Sequence, residues 1–225
     1  MKVILTIFSI LLLGYNLNAQ TNYIKNGDMS GVKLNYIGSE LTGIVSTPPI
    51  GSGWAGFYGS LKSLNITSIQ GEGEHGDVIK LAATGILTNM SDNPRLVQRI
   101  KCPAGIYRLK FWAKAVNGKN VRVAASVRPS GNNIPAYPLK DYVNDGSSTE
   151  NPAHKLFSID ESWKEYTIDF DLTQTVNSFK PAAGTPFTLE KVNGNQFPVI
   201  CLNLWQTGKL DGSEVLIDNV SFVKL

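Results

Sequence analysis

Ile106–Ala115 reads IYRLKFWAKA. Its alternation places Tyr107, Leu109, Phe111 and Ala113 on one face of a strand, and Arg108, Lys110, Trp112 and Lys114 on the other. The first face suits the core of a sandwich. The second should look at water, yet it carries an indole among cations. The apolar area of Trp112 is worth hiding, so a loop, a neighbouring strand or a ligand must cover it.

Runs of the same character lie on either side of this stretch. The spacing of apolar residues predicts an opening strand over Asn22–Lys25 and main strands over Leu64–Ile69, Asp77–Ala83, Arg95–Ile100 and Ile106–Ala115. Four more follow over Asn120–Arg128, Trp163–Leu172, Phe197–Gln206 and Glu214–Val223. Gly and Pro separate most of them, and no amphipathic helix interrupts the series. This pattern predicts an all-β fold, a two-sheet antiparallel jelly-roll sandwich. In that topology Ile106–Ala115 and Asn120–Arg128 form a hairpin. One sheet then holds Asp77–Ala83, Phe197–Gln206, Ile106–Ala115 and Asn120–Arg128. Two long connections, residues 129–157 and 173–196, are of a size that usually carries function.

The chain opens with Met1-Lys2, an apolar run from Val3 to Leu13, and small and polar residues through Ala19-Gln20. That order reads as a signal peptide over residues 1–19, with a single domain over 20–225. The run is too short to span a bilayer, so the protein is expected to be exported: periplasmic, cell-surface-associated or secreted. Formal net charge is +3 with no basic block, which argues against nucleic-acid partners and membrane insertion. The two cysteines, Cys102 and Cys201, define no metal motif, and export permits a bridge without requiring one.

The expected sheet turns Arg122, Ser126 and Arg128 outward from one strand, and Asn203 and Trp205 from another. With Trp112 these form one surface, to which Tyr137 in the first long loop could reach over the rim. Planar donors and acceptors around an indole suit a pyranose, whose C–H face covers the ring while its hydroxyls need partners. The alternative for Trp112 and Trp205 is packing under a loop. Two flanking arginines make an acidic glycan plausible. His75 and His154 have no partner motif, and Trp54 and Trp163 read as core-closing residues.

In order along the chain, Asn26-Gly27, Gly53-Trp54, His75-Gly76, Leu96-Val97-Gln98-Arg99-Ile100, Gly105–Lys114, Trp163 with Tyr166 and Phe170, and Leu216-Ile217-Asp218-Asn219-Val220 resemble a known pattern. It is that of carbohydrate-binding modules of families four, nine and twenty-two, which have a galactose-binding-like jelly roll. More narrowly, the chain resembles standalone exported Bacteroidota proteins with that fold. The resemblance implies non-catalytic binding of a glycan or polysaccharide, with other surface proteins of glycan utilisation as further partners. It also implies a structural calcium ion held by Asp218 with Asp28 or Glu72/Glu74, although Ser30 stands where the family often has Glu. Two rival readings remain: a protein-interaction or adhesion module using the same face, and a polysaccharide-degrading enzyme. The enzyme needs paired carboxylates, and Asp160-Glu161, Asp169/Asp171 and Glu72/Glu74 are not expected on that face.

Overall fold

Leu109, Phe111 and Ala113 are fully buried in the structure, as the alternation of their strand requires. The computed structural model describes residues 20–38, 53–58, 64–83, 85–87, 94–117, 120–128, 137–138, 154–176, 189–191, 193–205, 208–210 and 212–225. The expected signal peptide and most of the two long connections lie outside these residues.

Among the described residues, twelve strands build two sheets. They are β1 (Asn35–Gly38), β2 (Ala55–Tyr58), β3 (Leu64–Ile69), β4 (Val78–Ala83), β5 (Arg95–Arg99) and β6 (Ile106–Asn117). Then come β7 (Arg122–Arg128), β8 (Tyr137–Pro138), β9 (His154–Ser158), β10 (Lys164–Asp171), β11 (Val199–Leu204) and β12 (Glu214–Lys224). The first sheet runs β1-β2-β5-β11-β7-β9 and the second β8-β10-β6-β12-β4-β3. All pairings are antiparallel except β1 with β2. The fold is an all-β jelly-roll sandwich.

The expected sheet is not the one formed. Strand β6 is flanked by β10 and β12, while β7 is flanked by β11 and β9, so the supposed hairpin partners lie in different sheets. The twelve-residue β6 has both of its edges taken along most of its length, which leaves β7 to pair across the sandwich. His154–Ser158, expected as the end of a loop, is an edge strand of the first sheet. The opening strand reduces to a bridge between Asn22 and Val223.

Between the sheets, Tyr107 stacks on Phe222 at 4.7 Å and Phe111 on Tyr166 at 5.5 Å. Each buried side chain of this size contributes about 1.5–3 kcal/mol. The buried Gln98 reaches from β5 to the N-terminal segment. Its carbonyl accepts from the Lys25 amide at 2.8 Å, and its own amide donates to the Lys25 carbonyl at 3.0 Å. Trp54, immediately before β2, is buried and donates its indole N–H to the Asn26 carbonyl in the chain's first turn at 3.0 Å.

A bulge interrupts β12. Its register against β6 shifts between Asp218 and Ser221, with Asn219 at a φ of 48°, a left-handed conformation that Asn tolerates. The bulge turns Val220 inward, and its amide donates to the Gly27 carbonyl at 2.7 Å. The first turn and the last strand are thereby joined.

Cys102 and Cys201 are both free and buried, in separate apolar clusters. Burial pushes the Cys102 thiol up to about 11, with the Tyr107 hydroxyl pulling the other way. Since the thiolate is the reactive form, the native protein is expected to leave a chromogenic disulfide reagent unconsumed. After denaturation both thiols should react. A bridged pair would give no reaction in either state.

Candidate functional site

On the outer face of the second sheet, Arg108 forks onto Asp169 at 2.7 and 2.8 Å, Lys110 meets Glu165 at 3.1 Å, Lys114 meets Glu72 at 3.1 Å and Lys80 meets Glu214 at 3.4 Å. Every cation that made the β6 outer face conspicuous in the sequence has an acid across from it. Arg108 is held further above its ordinary pKa by Asp169.

The cover for Trp112 comes from the loop between β3 and β4. Gly71, Gly73 and Gly76 take positive φ values, which let a short 3₁₀ turn over Gly73–His75 fold back onto the sheet. His75 from that turn stacks on Trp163 at 3.9 Å and lies 5.4 Å from Trp112. Trp163 therefore belongs to this outer cluster. Trp112 stands in register with Glu165 and Asp218 and is left half-buried.

Beneath the aromatic rings lies Asp218, with 0% exposure. Its Oδ2 accepts from the Asn219 amide at 2.8 Å and meets His75 Nδ1 at 2.8 Å. Burial pushes the Asp218 carboxyl above its usual range, and the His75 hydrogen bond opposes that shift; the charge of Asp28 adds to it. Asp218 Oδ1 has no hydrogen-bond partner among the described residues. One orphaned buried oxygen with a second carboxylate near enough to be felt fits a hard divalent cation, which takes oxygen ligands. Glu74 is exposed on the turn. Among the described residues no group of three or more His, Cys, Asp or Glu could hold a metal.

The first sheet gathers the other expected ligand residues. Leu96, Ile200, Leu202, Val123, Ala125 and Val127 point into the core, which turns their neighbours outward. Across the strands, Arg95 is in register with Asn203, and Asn203 with Ala124. Val97 is level with Cys201 and Ser126, and Arg99 with Val199 and Arg128. Trp205 follows β11 and donates its backbone amide to the Arg122 carbonyl at 2.8 Å.

Asn203, Trp205, Ser126 and Arg122 thus share one face, with Arg128 at the end of the same strand as Arg122, while Trp112 is on the opposite side of the sandwich. Tyr137 pairs with Asp171 at the edge of the second sheet. The separation follows from the strand exchange described above. Two arginines that the sequence reading omitted, Arg95 and Arg99, join the face. Their signal was the alternation of Arg95, Val97 and Arg99 with Leu96, Gln98 and Ile100.

Trp205 keeps 6% of its surface and Asn203 4%. Trp205 is therefore packed at the end of β11, and the half-buried residues Arg95, Arg99 and Arg122 flank a buried middle. Asn203 Oδ1 has no hydrogen-bond partner among the described residues. An unmet buried acceptor costs about 1–3 kcal/mol, which a bound donor would offset.

A crystal structure of a candidate sugar-binding protein from Bacteroides thetaiotaomicron superimposes with a TM-score of 0.68 and 19% identity, over 91% of this chain and 100% of that one. The two share a fold. A family 61 carbohydrate-binding module in complex with β-1,4-galactotriose gives 0.45 and 16%, over 91% and 99% of the two chains. A family 4 carbohydrate-binding module gives 0.43 and 18%, over 77% and 95%. At those scores the likeness is too coarse to argue from. No family model and no curated protein matches the chain. The resemblance read from the sequence holds for the fold.

Proposed function

We propose that the protein binds a glycan, without catalysis, on the outer face of the first sheet. The observation that carries this reading is Asn203, a buried amide with an unmet carbonyl oxygen, set among arginines on a shared face. Sugar hydroxyls supply the missing donor and accept from the guanidinium groups. Trp205 closes one end of the face by packing, so hydrogen bonds and not ring stacking hold the ligand. Affinity from such contacts is modest, on the order of 4–8 kcal/mol, or millimolar to micromolar. The fold shared with a candidate sugar-binding protein supports the reading.

The distribution of carboxylates supports binding over hydrolysis. Asp169 and Glu72 are engaged by Arg108 and Lys114, Asp160 by Lys164, and Asp171 by the Thr173 amide and hydroxyl. The strands of the first sheet contain no Asp or Glu. Export to the periplasm, the cell surface or the medium belongs to the same proposal. Among the described residues no helix is long and apolar enough to cross a membrane.

The test is a panel of plant, fungal and host polysaccharides, with free oligosaccharide as competitor. Retention by at least one polymer, competed by its own fragments, is the expected result. Binding to glycoproteins that free sugar does not compete, or to nothing on the panel, would favour a protein-interaction module.

A calcium ion at Asp218 and Asp28 is the second part of the proposal. It would supply positive charge to a buried carboxylate and tie the last strand to the first turn. Calcium in excess of a chelator is expected to raise the melting temperature by about 5–10 °C. Superimposable melting curves would remove the ion from the account.

A further inference from the structure

We infer that His75 is a positioning residue for the divalent cation: its Nδ1–H holds Asp218 by Oδ2 and so leaves Oδ1 set for the ion. The inference rests on the calcium reading above and adds to it the residue that aims the ligand. Two donors reach Asp218, the His75 ring and the Asn219 side-chain amide, both at 2.8 Å. Both end on Oδ2, while Oδ1 is buried with no hydrogen-bond partner among the described residues. A carboxylate that served only the packing of β12 would need donors on both oxygens, since each accepts and burial removes the water. The uneven supply fits a ligand whose second oxygen is kept for a cation.

The ring that holds Oδ2 is itself held in several ways. Its turn closes on itself, the Glu72 amide donating to the Gly76 carbonyl at 2.7 Å and the His75 amide to the Glu72 carbonyl at 3.1 Å. The Glu72 side chain ties the turn to β6 through Lys114. Trp163 stacks on the imidazole face at 3.9 Å, which leaves the ring edge for the carboxylate. An imidazole fixed in this way holds Asp218 in one orientation.

Room for an ion lies away from the imidazole. The first turn and the bulge of β12 frame an open cavity of about 440 Å³, lined by Asn22, Asn26, Asp28, Asn219 and Ser221 among others. Asn219 joins that cavity to Asp218 through their hydrogen bond, and Asp28 is the carboxylate whose charge reaches Asp218. His75 does not line the cavity, so it acts through Asp218 and not as a ligand.

The experiment strips the purified protein with a chelator and titrates calcium chloride by calorimetry into wild type, Asp218→Asn, His75→Asn and His75→Phe. An Asn amide nitrogen stands near the place of Nδ1, whereas Phe keeps a ring on Trp163 without the donor. Wild type should bind and Asp218→Asn should not. His75→Asn should stay within about threefold of wild type, and His75→Phe should bind about 10–100-fold more weakly. A role in packing alone gives the reverse order, because Phe restores the stack and Asn does not. His75→Phe binding as well as His75→Asn, or better, therefore overturns the inference and leaves the calcium reading standing. No binding by wild type, or full binding by Asp218→Asn, ends both. Should His75→Phe not fold, nuclear magnetic resonance of the wild type decides, with His154→Gln assigning the two histidines of the chain. Calcium should shift the ring signals of His75 and leave those of His154 in place. Signals of His75 that stay unmoved while calcium binds would overturn the inference.

Discussion

Gly27→Ala is expected to cost on the order of 3–5 kcal/mol, enough to leave much of the protein unfolded. A Cβ built on Gly27 would lie 1.9 Å from the Val220 carbonyl oxygen and 3.1 Å from its carbon. Both are backbone atoms of the last strand, so no side-chain rotation relieves the clash. Moving apart would also lose the hydrogen bond from the Val220 amide to the Gly27 carbonyl. Gly31→Ala is the control. Gly31 has a φ of 62° and open space around its missing Cβ, so only backbone strain of about 1–2 kcal/mol applies. Denaturant unfolding of both variants decides the matter. Equal costs would mean that the first turn does not dock on the bulge of β12.

His75→Ala is expected to cost about 3–5 kcal/mol, because it strips a buried carboxylate of a partner. Asp218 would keep only the Asn219 amide, and Trp163 would lose the ring stacked on it. Asp218→Asn made in the His75→Ala background should recover part of the loss, since an uncharged amide tolerates burial better. A coupling of about 1–3 kcal/mol in the double-mutant cycle is the expected result. Additive effects would show that His75 and Asp218 do not depend on one another.

The alternation of each strand stated which residues face the core. Tyr107, Leu109, Phe111 and Ala113 are all buried, as are Val123, Val127, Ile200, Leu202 and Leu204. Partner choice was not legible, because an apolar face says which side is covered and not which neighbour lies beside it. That is why β6 and β7, close in sequence, were placed together and Trp112 was joined to Trp205. The partner of His75 was hidden for a related reason. Asp218 is 143 residues away, and only the fold-back of a glycine-rich turn brings them together. The arginine face was half visible: Arg122 and Arg128 were in view, while Arg95 and Arg99 needed β5 to be set beside β11. The sequence offered the indoles as the sugar platform. Their burial moves the expected contacts to the amide and the guanidinium groups.

The most direct measurement is calorimetric titration of the best panel ligand into wild type, Asn203→Leu and Trp112→Ala. Asn203→Leu keeps the side-chain volume and removes the unmet acceptor. It should fold with stability unchanged or raised by up to about 1–3 kcal/mol, yet lose binding by about tenfold or more. Trp112→Ala, on the opposite face of the sandwich, should bind as wild type does. Full binding by Asn203→Leu, or binding lost in Trp112→Ala alone, would contradict a glycan site on the first sheet.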